Sequence, residues 1–230
     1  MTQAQTVGRT LIRARIVADD SPESPREWSN IGTFVGLENR HYNIGDRRPT
    51  QAELIALEYG GWAALVKHLE RQYGATRVLK VGMIDHSGVS YYIGGGPHWS
   101  DSAGWDSGTC GYIFDTAKGR AKCGTPLEFV EDVLTDEIKI YDQWARGDVY
   151  GYIIERRTLC EPCAAIDTDE DDIPDECPHC EIMDEDSCWG FYGLDIADWD
   201  VPADAIDALR DEAAAGHVEY GHGRIEAQWR

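Results

Sequence analysis

Residues 149–193 read VYGYIIERRTLCEPCAAIDTDEDDIPDECPHCEIMDEDSCWGFYG. Two runs in this stretch, 149–157 and 188–193, are rich in the β-branched and ring residues that favour strands. Between them lie two C-x-x-C pairs separated by a run of acids. The two runs are expected to pair as a hairpin, with the cysteine stretch inserted at its tip. An antiparallel pair at the centre of the reading points to an antiparallel sheet, and the segments on either side supply its other strands and its helices.

Upstream, 10–18 (TLIRARIVA) alternates Leu11, Arg13 and Arg15 against Ile12, Ala14 and Ile16, the period of two of a strand. Strands are also predicted at 31–37, 78–84, 89–93 and 110–116. The second and third of these four are joined by the turn DHSG (85–88). Helical spacing runs through 51–73, with a break expected at Gly60-Gly61, and through 125–147. In the second helix Thr125-Pro126-Leu127-Glu128 matches a capping box with proline at the first helical position. Leu127, Val130, Leu134, Ile138 and Tyr141 share one face of it. A short helix is predicted at 202–215, with Ile206, Leu209 and Ala213 inward. Strands come in runs as well as alternating with helices. The expected fold is therefore α+β, a mainly antiparallel sheet with two or three packed helices and a zinc-ribbon-like acidic insertion. The expected organisation is one domain over 1–159 and 187–230, with 160–186 as an inserted zinc-binding segment of four cysteines.

The formal net charge is −21. Twelve acids and no base lie between Glu161 and Asp186, so this one segment carries more than half of it. Direct binding to nucleic acid is not expected, because no basic stripe offsets phosphate charge. No apolar run is long enough to span a bilayer, and the first twenty residues lack the apolar core of a signal peptide. These features predict a cytoplasmic protein with no membrane partner, whose seven cysteines serve as metal ligands or free thiols before disulfides.

Cys160, Cys163, Cys177 and Cys180 form C-x2-C-x13-C-x2-C. Two thiolate pairs joined by a loop suit a tetrahedral, closed, structural Zn2+ site, and His179 is a possible substitute ligand. Asp167, Asp169, Asp171 and Asp175 resemble a Ca2+-binding loop, but Asp172 stands where such loops need glycine, which favours a solvated acidic loop. Cys110, Cys123 and Cys188 read as small buried hydrophobes.

A second constellation surrounds the glycine-rich stretch 94–108, GGGPHWSDSAGWDSG. Asp85, His86, Asp106 and Ser107 are the residue types of a hydrolytic site, with His41 and His98 as further candidates. No string matches a known catalytic motif, and Asp or Ser in turns more often caps backbone N–H groups. Trp99 and Trp105 either fill a core, as the tryptophans of the chain are expected to do, or form a recognition face. The length of the loop favours a face made of 94–108, the DHSG turn and the 41–46 loop, with Trp99, Trp105, Asp106 and His41 as binding residues.

SPREWSNIGTF (24–34), HYNIGD (41–46), DHSG (85–88), WDSGTCGYIF (105–114), YDQWARGDVYGYII (141–154) and DSCWGFYGLD (186–195) occur in an order that resembles an uncharacterised family of small proteins encoded by bacteriophages and other mobile elements. That family has no established activity, so the resemblance carries no catalytic residue. Its usual members join the last two motifs by a short acidic turn, where this chain inserts the two C-x-x-C pairs. The resemblance implies a non-enzymatic phage or mobile-element accessory protein that binds a host protein, with a possible counter-defence role. The alternatives from the residues are a metal-dependent or Ser/His/Asp hydrolase using the Asp85, His86 and Asp106 loops, and an acidic DNA mimic.

Overall fold

The computed structural model describes residues 10–37, 43–86, 88–165 and 177–220, with the backbone alone at 181–184. The fold is mixed α+β, with two four-stranded sheets and five α-helices among the described residues. The sequence predicts a single domain over 1–159 and 187–230. The chain instead divides into two compact units, Met1–Pro22 with Gly147–Arg230, and Glu23–Arg146. Each unit has its own sheet and its own core, and local periodicity carries no information about which strands share a sheet.

In the first unit, β1 (Thr10–Ala18) lies between β6 (Val149–Thr158), to which it is antiparallel, and β8 (Val218–Glu219), to which it is parallel. The strand β7 (Glu181–Tyr192) forms the outer edge, antiparallel to β6 from Val149↔Tyr192 to Thr158↔Glu181. The predicted hairpin is present, but its second strand starts seven residues earlier than predicted. EIMDED (181–186), placed in the insertion by its charge, is strand. Ala14, Ile16 and Ala18 bury one face of β1 against Tyr150, Tyr152 and Ile154 and against Leu209 of α5 (Ile206–Ala215). The predicted helix over 202–215 thus begins only at Ile206. The opposite face carries Arg13, which pairs with Glu155 at 2.6 Å, and Arg15, which pairs with Glu219 at 3.2 Å. Leu11 lies on that face at the end of β1 and is buried against Leu159 and Cys163.

In the second unit the strand order is β2 (Gly32–Gly36), β5 (Ser107–Asp115), β3 (Val78–Asp85), β4 (Val89–Ile93), all antiparallel. Both faces are covered, which is why β5 is buried without interruption from Cys110 to Asp115. Leu65 and Leu69 of α1 (Gln51–Tyr73) pack on Tyr112, Phe114 and Val35. Val130, Leu134, Ile138 and Tyr141 of α3 (Val130–Arg146) pack on the other face with Phe34, Val81 and Ile113. The break in α1 is at Gly61, whose φ of 65° is left-handed. The predicted capping box of α3 does not form: Leu127–Phe129 is a 3-10 turn without a side-chain cap, and Leu127 is exposed. A further helix, α2 (Ala117–Cys123), escaped the sequence reading although Thr116 caps it and Gly124 ends it.

A reciprocal capping box does open α1, between Thr50 and Glu53. Glu53 is fully buried and takes both Arg47 guanidinium nitrogens, at 2.7 and 2.8 Å. Burial raises its pKa, yet the Arg47 and Thr50 hydrogen bonds outweigh this and hold it below the ordinary value of 4.5. A carboxylate depressed in the fold contributes stability that is present above its unfolded pKa and lost as pH falls through the folded one. Glu53→Gln is expected to lower stability at neutral pH and to flatten its decline below about pH 4.5, measured by denaturant midpoints across pH.

Candidate functional site

The four predicted ligand cysteines come together at the tip of the β6–β7 hairpin. Cys160 precedes α4 (Glu161–Ala164), a single turn with Pro162 near its start, and Ala164 N–H closes it onto Cys160 O at 2.8 Å. Cys163 lies within this turn, so the two thiols of the first pair share one side. The second pair is bent by Pro178-His179, with Cys180 N–H on Cys177 O at 3.2 Å. The Cys160 Sγ lies 3.8 Å from Cys177 Sγ and 3.6 Å from Cys180 Sγ, and all four sulfurs are within 4.8 Å of one another. These separations are too long for a disulfide, whose sulfurs stand about 2.05 Å apart. They match the edge of a tetrahedron, about 3.8 Å for a metal–sulfur bond of about 2.3 Å. The cluster can therefore hold a four-coordinate metal ion.

The surroundings of Cys180 favour thiolate. Cys160 N–H points at Cys180 Sγ at 3.3 Å. Burial raises the Cys180 thiol, but that N–H and the Arg157 guanidinium outweigh it and bring the thiol down to about 6. The Cys163 thiol is pushed up to about 12 by its hydrogen bond with Cys160 and by burial. Four adjacent sulfurs cannot all carry charge without a cation, and a bound dication removes that conflict. Leu11 and Leu159 are buried against Cys163, with Cys160, Cys177 and Cys180 packed on them, in an apolar patch separate from the main core of the unit. His179 is exposed between the two ligands of its pair. The acids Asp167, Asp169, Asp171, Asp172 and Asp175, read as a Ca2+-like loop, lie outside the described residues.

The remaining cysteines divide. Cys110 is buried as expected and Cys188 packs partly against the core, but Cys123 is exposed, with its thiol 3.5 Å from Ser29 O.

The second constellation is partly assembled. His86 Nδ1 lies 2.8 Å from Asp106 Oδ2, and Asp85 N–H donates to Asp106 O at 2.9 Å, so the 85–86 turn and the 94–108 loop share one face. Ser107 is not joined to His86: its hydroxyl donates to Asp101 Oδ2 at 2.8 Å and accepts from His98 N–H at 2.9 Å. Asp101, overlooked in the sequence, is the organiser. It also accepts from the N–H groups of Trp105 at 3.2 Å and Asp106 at 2.9 Å. The Ser107 hydroxyl and these N–H groups hold its carboxylate below the usual range. At the other end of the loop, Tyr92 lies flat over Gly82, where a Cβ would run into its ring, and its hydroxyl donates to Gly96 O at 2.7 Å.

Trp99 and Trp105 are 88% and 87% exposed, so the expectation that the tryptophans fill the core fails for both. Trp28 and Trp189 are about half exposed, and Trp199 alone of the five loop and strand tryptophans is buried, stacked on Phe191 at 4.5 Å. The loop is long for a topological reason too: β4 and β5 are not neighbours, and the chain crosses β3 between them. His41 lies outside the described residues. Arg47, just beyond the 41–46 loop, bridges to Val35 of β2, at the sheet edge opposite β4.

Two of the motifs quoted from the sequence, 24–34 and 41–46, meet at one buried cation. Arg26 of SPREWSNIGTF donates to both carboxylate oxygens of Asp46 of HYNIGD, at 2.8 Å each. It also donates to Glu137 Oε2 of α3, at 2.8 Å. Glu137 Oε1 accepts from Ile31 and Gly32 N–H, and Asp46 Oδ2 from Phe34 N–H. Among the described residues no helix is long and apolar enough to cross a membrane. Set against known proteins, the chain matches no family model, and neither a curated protein nor a solved structure is similar to it.

Proposed function

We propose that the chain is a non-enzymatic accessory protein of a phage or mobile element that acts by binding a host protein in the cytoplasm, with a structural Zn2+ stapling its β6–β7 hairpin. The observation that carries the zinc assignment is the 3.6 and 3.8 Å sulfur separations within a four-thiol cluster. Zn2+ takes four thiolates in this geometry, whereas Ca2+ takes oxygen ligands. With all four positions filled by protein sulfur, the ion has no place for a substrate, and its contribution is to folding. The binding role is supported by the exposed indoles of the 94–108 loop, by the net charge of −21, and by the family resemblance.

Protein purified without added metal is expected to hold about one zinc per chain by elemental analysis, in keeping with the affinity of four-thiolate sites. Iron in its place would reassign the ion, and a folded, fully reduced, metal-free preparation would overturn the site. A hydrolase is the second reading, favoured by the His86–Asp106 contact of 2.8 Å. Turnover of an ester or phosphoester that His86→Ala abolishes would decide for it.

A further inference from the structure

We propose that the face made by the 94–108 loop and the 85–86 turn takes a lysine- and arginine-rich segment of a partner protein, with cationic side chains seated on Trp99 and Trp105. This rests on the binding reading above and narrows it to one class of partner. Three observations carry it.

The loop is held by its own polar groups, without help from either indole. Asp101 gathers Ser107, Trp105 N–H and Asp106 N–H, Asp101 N–H closes on His98 O at 2.9 Å, and Thr109 Oγ1 donates to Gly95 O at 2.9 Å. A scaffold ordered in advance spares the ordering cost of binding, and rigid aromatic side chains on such a scaffold are the usual anchors of an interface. The indoles leave this scaffold into solvent, at 88% and 87% exposure, with Trp99 touching the His98 ring at 5.2 Å and His98 touching Tyr92 at 5.0 Å. Two such exposures on one short loop are explained by a partner that covers them.

The charge of the face selects that partner. Between Val81 and Gly108 the chain carries Asp85, Asp101 and Asp106 and no lysine or arginine. The nearest base in sequence, Lys80, runs its side chain along Gly95 at the start of the loop and carries its ammonium over the Trp62 ring at 5.0 Å, where an indole already engages it. An indole face attracts cations through its quadrupole, and tryptophan does so most strongly of the three aromatic side chains. Carboxylates on the same loop and turn add long-range attraction for a basic segment and repel phosphate. Nucleobases, which also stack on tryptophan, arrive with a backbone that a chain of charge −21 disfavours.

The test uses the full metal-bound chain and a fluorescein-labelled peptide, (Arg-Gly-Lys-Gly)3, followed by anisotropy. The comparison ligands are the same peptide with glutamine at every basic position and an oligothymidylate of twelve nucleotides. The wild type is expected to bind the basic peptide at least tenfold more tightly than either. Trp99→Ala/Trp105→Ala leaves the net charge unchanged and is expected to lose at least tenfold in affinity with its melting temperature kept. Equal binding by this variant would reduce the effect to the overall charge of the chain and overturn the proposal. Equal binding of the glutamine peptide would leave an interaction face without the cationic preference, and preferred binding of the oligonucleotide would replace the partner class; either result overturns the proposal. A large fall in melting temperature of the variant would make the indoles structural, and the proposal would also fail.

Discussion

Replacing Arg26 by methionine will destabilise the unit Glu23–Arg146 by about 3–5 kcal/mol, the range for removing one partner of a buried ion pair. The Arg26 side chain is 7% exposed and stands between two carboxylates, Asp46 and Glu137. Burial lowers its basicity, but the two acids more than compensate and hold it above its ordinary value. Methionine fills much of the same space and leaves Glu137, 9% exposed, without its cation in a poorly hydrated place, while Asp46, 25% exposed, stays within reach of water. Those carboxylates also accept the N–H groups that begin β2, so the damage reaches the edge of the sheet. The fall in melting temperature should be on the order of 10 °C for a unit of this size. The triple variant Arg26→Met, Asp46→Asn, Glu137→Gln should recover part of the loss, because no charge is then stranded. A loss below about 1 kcal/mol by denaturant titration would show that water, and not Arg26, satisfies the two acids.

Removing the proposed Zn2+ will act locally. A chelator is expected to raise amide exchange at the cysteine end of the β6–β7 hairpin by about a hundredfold or more, because the binding energy of a structural metal is energy of folding. Protection in β1 and in the first half of β6 should persist. The reason is the division of the core. Leu11, Leu159 and Cys163 form their own cluster with the ligands, while Ala14, Ile16, Tyr152, Ile154 and Leu209 pack without them. Thr158 and Glu181 are already opposite each other in the ladder, so a short turn in place of 160–180 closes the hairpin without changing its register. Such a variant should melt cooperatively. Collapse of the whole unit in either experiment would show that the staple carries the sheet.

The cysteine site was legible because the spacing C-x2-C is itself the geometry: two thiols three residues apart reach one ion whatever surrounds them. The ligand set read from sequence is the one that converges. The strands of β1, β3, β4 and β6 were legible for a similar reason, since alternation and turn residues act over a few positions. The start of β7 was not, because EIMDED carries charges that strands usually lack, and only its pairing with β6 makes it a strand. The exposure of Trp99 and Trp105 was left open because an indole suits a core and a binding face equally well. What decided it was Asp101, whose hydrogen bonds shape the loop without using either ring.

By itself, then, the sequence determined most of the longer elements, the four cysteines that converge and the acidity that argues against phosphate partners. Each of these follows from local spacing or from composition. Only the tertiary structure decided that the chain leaves one unit after residue 22 and returns to it at 147, and that Arg26 meets Glu137 across 111 positions. It also decided that Ser107 serves Asp101 and not His86. These are pairings between distant segments. They are selected by which burial and which hydrogen bonds can be satisfied together, a condition that no local stretch of sequence contains.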